Sequence, residues 1–117
     1  SNIFRYPPIG SPDGGAHATA GDLHGFLAAL RADVLLPPDL RQTFFTPQVR
    51  HPSGVWFGFG LEFDGSVYSK DGMNAGASGK LIHYEAFGVD AVVLSNSASG
   101  AWPVVDELDR RFKPGAL

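Results

Sequence analysis

Between Thr19 and Ala32 the apolar residues recur at steps of three and four: Leu23, Phe26, Leu27 and Leu30. That spacing predicts an amphipathic helix with one apolar stripe. Thr19 can cap it, and Asp22 three residues later completes a reciprocal capping pair while favouring the positive helix end. A second, short helix opens at Pro38, where a first-turn proline sacrifices no needed donor. Leu40, Phe44 and Phe45 form its predicted buried side, and Thr46-Pro47 ends it. From Val55 the period changes to two. Val55, Phe57, Phe59, Leu61 and Phe63 alternate with Trp56, Gly58, Gly60, Glu62 and Asp64, which predicts one half-buried strand over 55–63.

Asp64-Gly65 is a hairpin signal, because a tight primed turn needs positive φ. The chain returns through Ser66–Lys70, turns a glycine-rich corner at 72–76 and continues as a strand over Ala77–Tyr84. Gly88 closes the next turn. Val89–Ser95, "VDAVVLS", is β-branched and nearly all apolar, as in a central strand. Ala101, Val104, Val105, Leu108 and Phe112 give a last amphipathic helix, with Pro103 near its start and Pro114-Gly115 as its stop. Asp106, Glu107 and Asp109 with Arg110 and Arg111 read as its solvated side. Residues 1–18, with three prolines and three glycines, read as an irregular lead-in. The expected architecture is a single α+β domain: a four-strand antiparallel meander with helices packed on one face.

The totals narrow the function classes. A chain of 117 residues, 44% hydrophobic and 18% charged, suits one packed domain. A net charge of -3 with no basic block argues against a nucleic-acid partner. No apolar run approaches the ~20 residues of a membrane helix, and no charged-then-apolar leader is visible, so a soluble protein of unknown compartment is expected, with no membrane partner. Without cysteine there is no disulfide, thiolate nucleophile or cysteine zinc site. His17, His24, His51 and His83 show no ligand spacing and read as surface or capping residues, so no metal and no cofactor are expected.

Four segments in one order carry a more specific signal. They are "PDGGAHATAGDLHGFLAAL" at 12–30, "VWFGFGLEF" at 55–63, "VYSKDGMNAG" at 67–76 and "VVLSN" at 92–96 before the final helix. Together they resemble the C-terminal portion of the beta-lactamase-related serine hydrolases, the group of class C beta-lactamases, penicillin-binding proteins, D-aminopeptidases and related esterases. Lys70-Asp71-Gly72 falls where that family carries Lys-Thr-Gly or His-x-Gly on an edge strand.

The resemblance implies a catalytic wall built from Lys70, Gly72 and Met73. Lys70 is a fixed cation near the nucleophile. Gly72 lets substrate approach the strand. Met73 gives a backbone N–H to the oxyanion hole. Asp71 and Asn74 take substrate-binding positions. Asp71 departs from the family's hydroxyl residue, and its charge is expected to disfavour a substrate carboxylate, pointing to an ester or a peptide-like substrate rather than a beta-lactam.

None of the nine serines is followed by lysine three residues on, and no tyrosine by asparagine two residues on. The family's Ser-x-x-Lys and Tyr-x-Asn motifs are therefore missing, and the expected function is the inactive C-terminal part of a larger acyl hydrolase. A non-catalytic binding module of the same shape is the alternative, and a self-contained enzyme with an unfamiliar site is a third reading. Lys70 also has an ordinary interpretation, as an edge lysine that discourages sheet-to-sheet pairing. If the segments that precede this region in the family are lacking, strand 89–95 keeps an unpaired apolar edge, and a homo-oligomer joined there is expected.

Overall fold

The computed structural model describes residues 10–11 and 14–115; most of the expected lead-in, residues 1–9, 12 and 13, lies outside them. Helix α1 spans Ala20–Arg31 with Thr19 as N-cap. The Asp22 N–H donates to the Thr19 hydroxyl at 3.1 Å, and the Thr19 N–H donates back to the Asp22 carboxylate at 2.9 Å, the reciprocal box expected from the sequence. Helix α2 is Pro38–Phe44. It buries less than its pattern suggests, for Leu40 remains 51% exposed.

The described residues form one antiparallel sheet of six strands in sequence order: β1 Val49–Arg50, β2 Trp56–Phe57, β3 Glu62–Asp64, β4 Val67–Asn74, β5 Ala77–Tyr84 and β6 Val89–Ser95. A single 3₁₀ turn at Glu85–Phe87 links β5 to β6 through left-handed Gly88, and helix α3, Trp102–Phe112, follows.

Two expectations about strands are corrected. The alternating run 55–63 is not one strand but a hairpin, β2 and β3, reversing through residues 58–61. Gly58 donates its N–H to the Leu61 carbonyl at 2.8 Å. A Cβ on Gly58 would lie 2.9 Å from the Phe63 ring, and Gly60 has φ 104°. Both glycines are therefore required by the reversal. The corner expected at 72–76 is likewise tighter than its glycines suggest: β4 runs straight through Lys70-Asp71-Gly72 to Asn74, and the turn falls on Ala75-Gly76.

The helices lie on both faces of the sheet, not one. Strand residues alternate between faces, and the register sorts them. Val67, Ile82 and Tyr84 pack with Val89, Ala91 and Val93 against Val105, Trp102, Leu108 and Phe112 of α3. This is the main core, with Ile82 and Tyr84 fully buried. The Tyr84 hydroxyl donates to Asp109 at 2.6 Å, so Asp109 faces the sheet rather than solvent. Burial, reinforced by that carboxylate, pushes the Tyr84 phenol well above its ordinary range. The opposite face presents Tyr68, His83 and Asp90 to α1. The solvated side of α3 holds as expected at Glu107, which pairs with Arg110 and Arg111.

Candidate functional site

Strand β4 changes character at Lys70. Val67, Tyr68 and Ser69 are paired on one side with β3 and on the other with β5. Beyond Ser69 the pairing with β3 ends, and among the described residues Lys70–Asn74 pair only with β5. The Lys-Asp-Gly run therefore begins where β4 acquires an open edge. Amides on a strand point alternately to its two edges, so Asp71 and Met73 direct theirs to the same side.

Cross-strand neighbours define the two faces here. Lys70 stands opposite Leu81, Gly72 opposite Gly79 and Asn74 opposite Ala77 on the α1 face, while Asp71 stands opposite Lys80 and Met73 opposite Ser78 on the other. Asp71 is thus beside Lys80 rather than Lys70. The Asp71 carboxylate, expected from the sequence to disfavour a substrate carboxylate, lies on the opposite face of the strand from Lys70. Lys70 is exposed and takes part in none of the ion pairs among the described residues.

All five predicted positions, Lys70 to Asn74, line one open groove of about 1020 Å³. Its floor is low because Gly72 and Gly79 face each other without side chains. Gly14–Ala18 and Leu23 supply the opposing wall. The two glycines differ in their constraints. A Cβ on Gly72 meets nothing within 4 Å, whereas one on Gly79 would lie 2.8 Å from Leu94 Cδ2 and 3.1 Å from the Val93 carbonyl oxygen. Gly79→Ala is expected to destabilise the fold by about 1–2 kcal/mol through overpacking, whereas Gly72→Ala, with open space around an ordinary strand backbone, should be neutral or stabilise by up to about 1 kcal/mol. Equilibrium urea unfolding of both variants measures the difference.

Met73 is 68% exposed. The Asn74 side-chain oxygen accepts the Ala75 N–H at 2.8 Å, so it is already engaged in the turn. The serines near the groove are occupied as well. Ser78 donates to the Ser97 carbonyl at 2.7 Å and accepts the Ala101 N–H at 3.1 Å, while Ser95 accepts the Ser97 N–H at 3.2 Å. Both hydroxyls hold the β6–α3 connection.

A second cavity, about 240 Å³, lies between α1 and the sheet and is walled chiefly by Phe26, Leu27, Phe44, Phe59 and Leu61. Lys70 and Leu81 line both spaces.

The sequence reading missed a charged cluster on the same face. Arg31 donates to Asp90 through both terminal nitrogens, one at 2.7 Å, and to the Tyr68 hydroxyl at 3.2 Å. The His83 Nδ1–H donates to Asp90 at 2.7 Å, its ring stacks on Tyr68 with centroids 4.8 Å apart, and His24 lies 3.7 Å from the same carboxylate. His83 and His24 thus have an acidic partner that local spacing could not reveal. Arg31 foremost, aided by His83, holds the Asp90 carboxyl below the usual range against the opposing effect of burial. Burial raises the Tyr68 phenol although Arg31 opposes it. The one available signal was Asp90 itself, a lone charge in an apolar strand.

No family model matches the chain, and no curated protein matches it. Among solved structures it is similar to a penicillin-binding protein from Bacillus halodurans, with a TM-score of 0.87 and 31% sequence identity. The chain thus has an α+β fold of the penicillin-binding-protein type. The match covers 95% of this chain and 36% of that one, so the chain spans little more than a third of the length of its structural neighbour. Among the described residues no helix is long and apolar enough to cross a membrane.

Proposed function

We propose that this chain is the C-terminal portion of a beta-lactamase-like serine acyl hydrolase and supplies one wall of its active site. The observation that carries the reading is the open half of β4: an unpaired cation, Lys70, at the point where the strand loses one neighbour, followed by Gly72 on a side-chain-free floor. An extended substrate can add along such an edge by main-chain hydrogen bonds, which suits an ester, an amide or a peptide-like molecule. The Met73 N–H is positioned in the sequence to stabilise the oxyanion, a contribution of about 2.7–4 kcal/mol to acyl transfer. Lys70 favours the anionic forms of neighbouring proton-transfer groups.

On this reading the nucleophile and its base come from polypeptide outside these 117 residues; in support, no serine stands in Ser-x-x-Lys, and Ser78 and Ser95 beside the groove hydrogen-bond to the β6–α3 connection. The chain alone is therefore expected not to hydrolyse p-nitrophenyl acetate above background and not to be acylated on serine. Intact-mass measurement after incubation with a serine-directed acylating probe checks this. A single acylated serine would show that the chain carries its own nucleophile.

A non-catalytic interaction module is the second reading, favoured by β6. This strand pairs only with β5 among the described residues and carries Val89, Ala91, Val92, Val93 and Leu94. An open apolar edge is a template for another strand, and a two-fold pairing of β6 with β6 closes the contact. The expected result is a dimer mass for this chain by light scattering at high concentration; a monomer mass throughout would count against pairing at this edge.

A further inference from the structure

We infer that the smaller cavity beside Lys70 is a binding subsite for a compact apolar carboxylate, branched aliphatic or aryl. Its volume is about 240 Å³, while a dry apolar cavity of about 150 Å³ already accommodates benzene. Phe26, Phe44, Phe59 and Leu61 form apolar walls, and Leu81 continues them towards Lys70. In this chain Phe26 is 50% exposed and Phe59 60% exposed, whereas Leu27, Leu30 and Leu61 are buried.

A purely apolar slot would select only by size. This one has a cation on its boundary, and Lys70 makes no ion pair among the described residues. The nearest carboxylate in sequence, Asp71, stands opposite Lys80 on the other face, so the charge at the slot is positive. Apolar walls with one convergent cation match a ligand whose anion lies at one end of a compact apolar body. Lys70 also lines the larger groove, so such a ligand would have its charged end at the proposed acyl-transfer wall. That its physiological source is the acid released from a hydrolysed ester or amide rests on the hydrolase reading; the binding itself does not.

The test is a titration of the isotope-labelled 117-residue chain, followed by amide shifts, with 4-methylpentanoate, acetate and the neutral 4-methylpentanamide. The carboxylate is expected to saturate with shifts centred on Phe26, Phe59, Lys70 and Leu81. Acetate should bind at least ~10-fold more weakly, since it lacks several buried methylene equivalents. Lys70→Gln is expected to remove the preference for the acid over the amide, and Phe59→Ser to weaken both. Absence of saturable binding, shifts centred elsewhere, or equal binding of acetate would overturn the inference. Comparison of acetyl and 4-methylpentanoyl esters in the full-length polypeptide separates the two readings. Hydrolysis of neither ester contradicts the hydrolase while leaving the subsite to stand on the titration, and equal hydrolysis of both removes the subsite's role in substrate choice while leaving the hydrolase.

Discussion

Asp90→Ala is expected to destabilise this chain by about 3 kcal/mol, near the low end of the range for removing one partner of a buried ion pair. The Asp90 side chain retains only 10% of its exposure and receives hydrogen bonds from Arg31 and His83. Its loss leaves the Arg31 guanidinium without its counter-charge at the contact between α1 and β6, and leaves the buried side of His83 without an acceptor. For a domain of this size the midpoint of thermal unfolding should fall by roughly 10 °C.

The same cluster fixes a pH dependence. The folded-state Asp90 carboxyl lies below its ordinary value, chiefly through the Arg31 hydrogen bonds. The stabilisation is therefore fully present above the unfolded carboxylate pKa of about 3.9 and is lost as pH falls through the lower folded-state value. Urea unfolding across a pH series should show the wild-type chain and Asp90→Ala differing most above about pH 5 and converging in strong acid. An equal gap at all pH values would mean that packing, not charge, holds α1 on the sheet.

Local chemistry explains which parts of the fold were legible. The Thr19–Asp22 box, the Leu27–Leu30 stripe, the Asp64-Gly65 hairpin and strands β5 and β6 each follow from residues a few positions apart. The errors arose where one pattern admits two geometries. Alternation over 55–63 fits a single strand or two short strands joined by Gly58–Leu61, and the close approach of Phe63 to Gly58 and the positive φ of Gly60 belong to the second. Gly72 looked like a corner because glycine is common in turns, but here it lies mid-strand opposite Gly79. The segment Lys70–Asn74 was legible as a unit and does line one groove. The face on which each side chain lies was not, because it depends on the register of β4. The Arg31–Asp90 pair, separated by 59 positions, leaves no periodic trace, and neither does the apolar slot built from α1, α2, β4, β5 and the 58–61 turn.

Lys70 is the residue on which a catalytic role for β4 most directly depends. In this chain Lys70→Ala should change stability by no more than about ±0.5 kcal/mol, as for an exposed residue without partners. In the longer hydrolase proposed above the same substitution is expected to reduce ester or amide hydrolysis by about 10²–10⁴-fold, the scale of a group that governs proton transfer at the reacting centre. The decisive measurement is kcat/KM for a p-nitrophenyl ester with that proposed longer hydrolase and with its Lys70→Ala variant, both confirmed folded by circular dichroism. A loss of at least ~100-fold is the expected result. An active wild type with an equally active Lys70→Ala variant would contradict the claim that β4 forms the catalytic wall and would leave Lys70 as an ordinary edge-strand lysine.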